Sequence, residues 1–313
     1  MFLIEVNRQL RWWEVVGVRK SILLIGCLAL LAWRRPNLGH LRPVQWMQLA
    51  ALTVVGGPLY HLVFSWSAGV GSSGASRLDP ALLGLIMATV PVHTSWLAWI
   101  VLRESLTFRK ILALALGLTG VFVVVLGRHG SVDLWPREAL EGPIGATASA
   151  IIAGGIVVLT RACGRFLGPI DLVAVSGVGI GVLCAPLLLI TSPERLAAMS
   201  PLGWGAIIWL GTGASLLAFV TWATALRRLQ ALTVATYLFL SSLLAACWQW
   251  LLGGDGVQPT YFLGAGLILT GLLIMAHQGA RAAATTRRAA RATASPDGGP
   301  ARLRPATRSP GPE

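Results

Sequence analysis

Residues 78–127 constrain the fold more than any other stretch. Two apolar runs, 81–102 and 111–126, flank a short polar turn that holds Arg103, Glu104, Ser105 and Lys110. A helix rises about 1.5 Å per residue and needs roughly 20 residues to cross a bilayer core, so each run is about long enough to span. In lipid the backbone must satisfy its own hydrogen bonds, which makes the runs helices. The turn between them permits only an antiparallel hairpin. The pattern returns at 232–276. With Glu104 laid on Asp255 (an offset of 151, 255 less 104), Gly120 falls on Gly271 and Trp99 on Trp250. One hairpin used twice predicts a chain built from two repeats.

Composition agrees with a membrane solvent. Hydrophobic residues make up 55% of the 313 residues and charged ones 12%, against about 25% charged in soluble domains. The chain reads as an all-α polytopic membrane protein. Its net charge of +13 suggests a nucleic-acid partner, but the charges lie in short loops and a tail, not on a folded basic face. The expected partners are the lipid bilayer and a small-molecule substrate, with no nucleic acid; a homodimer is compatible with the sequence. Cys27, Cys163, Cys184 and Cys247 have no metal-ligand spacing and read as small apolar filler, so neither a metal nor a cofactor is expected. The opening residues lack a basic segment ahead of a clean apolar core, so no cleavable signal is expected.

About nine spans follow in order, at 15–33, 46–66, 81–102, 111–126, 142–160, 171–190, 202–225, 232–252 and 261–276. The expected organisation is a first repeat over 1–127, an external linker over 128–141, a second repeat over 142–276 and a basic, disordered cytoplasmic tail over 277–313. With that tail in the cytoplasm, inner loops hold ten Lys and Arg and outer loops four. The odd span count then puts Arg8, Arg11, Arg19 and Lys20 on the outer side. The expectation is that a first helix is missing ahead of residue 1. The Arg-rich, Lys-poor composition points to a GC-rich bacterial genome, and so to the bacterial plasma membrane.

A span with a central proline, an acidic residue just past its end and a glycine about sixteen residues further on is met here as Pro91, Glu104 and Gly120. The second half supplies Asp255, Gly264 and Gly271, with Ser242 at the proline position. This set resembles the EamA family of the drug/metabolite transporter (DMT) superfamily, over about 15–276. The resemblance implies ten spans in two inverted five-helix repeats that rock about a cavity. It places that cavity among the spans at 46–66, 79–102, 202–225 and 232–252.

Ionisable groups inside spans are costly and usually face a cavity. His93 lies two residues after Pro91, which lacks an N–H and loosens the helix one turn earlier. The imidazole either exchanges a proton with a substrate or sits neutral in a packed interface. Trp96 shares its face and walls a pocket or packs. Tyr60 and His61 read as a cavity pair or a headgroup-level pair. Tyr237, Ser241 and Ser242 bond a substrate or their own helix backbone. Gln249 lies toward the external end. Pro91 is the candidate hinge. Glu104 and Asp255 cap the helices that follow them or take part in gating, and Glu104 also pairs locally. Gly69-Val70-Gly71-Ser72-Ser73-Gly74 matches GxGxxG but follows a span, not a strand, so it reads as an external link. Gly177 with Gly181, and Gly154 with Gly155, read as close-packing seams.

Three function classes remain. The first is a secondary transporter of a small organic metabolite, such as an amino acid or an amphipathic drug. It would export by alternating access, coupled to protons or to exchange. With few fixed charges in the spans, it would favour neutral, zwitterionic or amphipathic solutes. The second is a non-transporting sensor or scaffold, for which the short loops leave little surface. The third is a membrane-embedded enzyme, for which HExxH, GxSxG and an intramembrane Asp pair are all missing from the sequence. The chain is not expected to be an enzyme.

Overall fold

A computed structural model describes residues 6, 9–69, 78–129, 140–251 and 259–293. The described residues hold helices and no strand. Among the described residues nine long helical segments follow in order, with the short helix Pro193–Ala197 between the sixth and seventh: α1 Trp12–Arg34, α2 Pro43–Ser67, α3 from Pro80 to Leu102, α4 Phe108–His129, α5 Glu141–Cys163, α6 Pro169–Leu189, α7 Pro201–Arg228, α8 from Ala231 to Leu251 and α9 Pro259–Thr293. Eight of them contain a stretch long and apolar enough to span a bilayer, and α8 supplies the shorter apolar helix Ala231–Ala245. Helices α3 and α8 are five crossings apart, so the matching hairpins run in opposite directions. This is an inverted repeat.

Local chemistry sets the boundaries. Asp79 accepts the Ala81 N–H at 2.6 Å ahead of Pro80, starting α3. Ser200 accepts from Gly203 at the start of α7. The carboxylate of Glu14 accepts the Arg11 N–H at 2.7 Å in the first turn of α1.

Several spans are interrupted. Helix α3 breaks at Ala88 and Thr89 between Pro80–Met87 and Val90–Leu97, one turn before Pro91, where the proline ring removes a helical bond. Helix α8 breaks at Tyr237 without a proline; the Thr236 hydroxyl donates to the Thr233 carbonyl beside the break. Wide π turns occur at Val55–Leu59, Ala98–Leu102 and Thr212–Leu217. In the first, Gly57 leaves helical geometry (φ −98°, ψ −110°) ahead of Pro58.

The buried side chains form two main clusters. Leu23, Leu52, Val173 and Ile180 join α1, α2 and α6, with Ala223 of α7. Leu114, Val121, Phe239 and Ile268 join α4, α8 and α9, with Leu85 of α3. Glycines set the approach of the helices. A Cβ on Gly120 would stand 2.7 Å from the Gly264 carbonyl oxygen, and one on Gly271 would stand 2.7 Å from that of Ala113, so α4 and α9 meet backbone to backbone. Gly181 faces Leu24, and Gly177 faces Cys27, where α6 meets α1. Gly154 packs on the His93 backbone, but Gly155 has open space at its Cβ and is no part of that seam.

The tail departs from expectation. Helix α9 runs on to Thr293 through residues assigned above to a disordered segment, because its Ala- and Arg-rich composition has high helix propensity. Asp255, residues 70–74 of the GxGxxG match, residues 130–139 of the linker and residues 294–313 lie outside the described residues, as does the side chain of Gln249.

Candidate functional site

A cavity of about 240 Å³ lies among α1, α2, α5, α6 and α7. Every lining residue is at least six residues from either end of its span. Both repeats contribute: α1 and α2 from the first, α5, α6 and α7 from the second.

Most of the wall is apolar, with Leu23, Leu52, Ile156, Ile180, Phe219 and Trp222. Against it stand Arg19, Lys20, Tyr60, His61 and Ser215. Arg19 is anchored to α7, where its Nε donates to Ser215 Oγ at 2.9 Å and to the Leu210 carbonyl at 3.2 Å. Ser215 in turn donates to Leu210 at 2.8 Å. The π turn over Thr212–Leu217 brings these acceptors to Arg19. Gly211 lets α7 come close enough, since a Cβ there would lie 2.6 Å from Ile22. Lys20 is only 3% exposed. Among the described residues no hydrogen bond or ion pair is made by its ammonium, and no carboxylate lines the cavity. Across from α1, the Tyr60 ring meets His61 edge-on at 4.9 Å and stacks on Phe64 at 5.7 Å. Gly56 of the first π turn completes this side.

Of the residues singled out in the sequence, Tyr60 and His61 line this cavity, while His93, Trp96, Tyr237 and Ser241 do not. His93 is half-buried, with its backbone against Gly154, and its Nδ1 accepts the Trp96 Nε1–H at 3.5 Å. Trp96 is 40% exposed and Tyr237 43%. The Ser241 hydroxyl donates to its own helix at Leu238. Pro91 is buried beside the α3 break. Helices α2 and α7 line the cavity as expected, but α3 and α8 give way to α1, α5 and α6. Where few fixed charges were expected in the spans, Arg19 and Lys20 line this cavity from the body of α1. They were missed because a cation a few residues inside an apolar run reads as a side chain that snorkels to the membrane surface. The available signal was Gly56-Gly57-Pro58 in one span and Gly211-Thr212-Gly213 in another, both marks of irregular helix.

The model of the EamA-like transporter family matches residues 5–126 and again 140–276. The chain belongs to that family. A crystal structure shares the fold with a TM-score of 0.70 over 88% of this chain and 91% of its own, at 18% identity. No curated protein matches the chain. The chain is thus a multi-pass membrane transporter of the DMT superfamily.

In this EamA-like transporter the two repeats are tied at both ends. At one end Glu104 accepts the Ala231 N–H on both oxygens at 3.1 Å and pairs with Arg161 at 3.7 Å. Arg161 also donates to the Leu226 carbonyl. Lys110 donates to Ser105 at 2.6 Å and to Gln230 at 2.8 Å. Glu104 therefore caps α8 of the other repeat, not the helix that follows it. Arg103 instead turns the chain with φ 56°. At the other end Glu14 pairs with Arg195 at 3.2 Å and accepts the Ser192 N–H, and Gln9 bonds Ser200.

Proposed function

We propose that this chain is a secondary transporter that moves a small organic metabolite through the Arg19–Tyr60–His61 cavity by alternating access. The observation that carries the reading is a polar-tipped, apolar-walled cavity at mid-span depth, built from both repeats. The repeats rock about this cavity. The Glu104 cluster and the Glu14 cluster are the contacts that break and reform at opposite ends, and Pro91 is the hinge of α3. The loop charges support a cytoplasmic C-terminus, the Arg-rich, Lys-poor composition supports a bacterial plasma membrane, and export is the direction we propose. Transport, not catalysis, is the assigned role.

The test is uptake into proteoliposomes of the purified chain. Flux of a small metabolite that saturates with concentration, against a protein-free control, is expected. Protein that is folded and oriented but moves none of a broad panel of amino acids, organic acids and cationic drugs would contradict the reading.

A further inference from the structure

We infer that the cavity binds an organic carboxylate with an apolar body, held at its charged end by Lys20 and Arg19. The inference rests on the transport reading for its biological meaning, but not for its geometry.

Lys20 is the central observation. It is 3% exposed, lines the cavity, and has no anion or acceptor among the described residues. A buried ammonium without a partner is costly, so such a group keeps its charge only with a counter-ion or a full set of hydrogen-bond acceptors and otherwise sheds its proton. Neither is built in. The carboxylate on the same helix, Glu14, is engaged with Arg195, Arg11 and Ser192 near the start of α1. Arg19 is oriented for the same task. Its Nε is tied down by Ser215 and Leu210, and no hydrogen bond engages its terminal nitrogens among the described residues. A guanidinium fork fixed in this way suits a planar carboxylate. Tyr60 and His61 border the same space and add polar groups at that end.

The rest of the lining selects the body of the ligand. Ile156, Ile180, Phe219 and Trp222 offer carbon surface and no charge. A small polyanion would strand its hydration shell against that wall. A neutral solute would leave Lys20 as it is now, unpaired. A single carboxylate on an apolar or aromatic body satisfies both ends.

The test uses the full chain in lipid-free detergent. 3-Phenylpropanoate is compared with its amide and with phenyl phosphate, by thermal stabilisation and by calorimetry. The expected result is binding of the carboxylate about tenfold or more tighter than the amide. Lys20→Met should weaken it by about tenfold to a hundredfold and Lys20→Arg should largely restore it. Because Lys20→Met removes an unpaired buried polar group, it should fold at least as well as the natural chain, so loss of binding is not loss of structure. Equal affinity for carboxylate and amide, tighter binding of phenyl phosphate, or a Lys20→Met variant that binds as well as the natural chain would each overturn the inference. Flux in proteoliposomes separates the two claims. Carboxylate binding without flux of any solute would leave this site standing and remove the transport reading. Flux of neutral solutes, with no carboxylate preference, would do the reverse.

Discussion

At the scale of single residues, position relative to the cavity decides what a polar side chain does. His61 and His93 are both imidazoles within spans, yet only His61 borders the cavity. His93 is held between Gly154 and Trp96. Replacing His61 with Ala is therefore expected to lower solute affinity several-fold, while His93→Ala leaves flux within about twofold of the natural chain. Initial rates of uptake across a range of solute concentrations check both. A His93→Ala variant that abolishes flux with its melting temperature unchanged would move the site to α3. The sequence could not separate these two histidines, because periodicity reports which face of a helix a residue shares but not which neighbour that face meets. Tyr60 and His61 were legible as candidates for another reason: polar rings inside an apolar run are uncommon. Arg19 and Lys20 were not, because seven or eight residues from the start of α1 a cation reads equally well as a snorkelling side chain.

At the scale of elements, the helix pairs depend on missing side chains and on ties between chain segments distant in sequence. Gly120 and Gly271, legible as corresponding positions from the repeat offset, both sit on the α4–α9 seam. A methyl at Gly120 would lie 2.7 Å from the Gly264 oxygen, and the obstruction is backbone, which cannot rotate away. Gly120→Ala is expected to cost about 1–3 kcal/mol, read as a lower midpoint in detergent-resistance or thermal unfolding. Gly155→Ala, with open space at that Cβ, should leave the midpoint unchanged and serves as its control. Glu104 is the other element-scale case. It bonds the first N–H of α8 and pairs with Arg161. Glu104→Ala should destabilise the fold by about 1–3 kcal/mol and slow flux, because the end it ties would no longer close. The same substitution with unaltered flux would reduce Glu104 to a structural cap. The acidic residue was visible in the sequence. Its partner was not, since the pairing joins positions 127 residues apart.

At the scale of the whole molecule, span count and repeat symmetry follow from hydropathy and the 151-residue offset, both of which act through the solvent and need no knowledge of packing. Which spans wall the cavity does not follow. That depends on the sorting of buried side chains into one cluster around α1, α2 and α6 and another around α4, α8 and α9. The two clusters account for why α3 and α8, interrupted as they are, do not line the cavity.

If solute passes through the Arg19–Lys20 cavity by alternating access, that cavity opens to each side of the membrane in turn. Ala218 lines that cavity, and of the natural cysteines only Cys247 is exposed. An Ala218→Cys variant on a Cys247→Ser background, reconstituted in one orientation, can be treated with a membrane-impermeant thiol reagent from either side. Labelling from each side in separate samples, with flux lost in both, is the predicted result. Flux that persists after complete labelling of position 218 would contradict it.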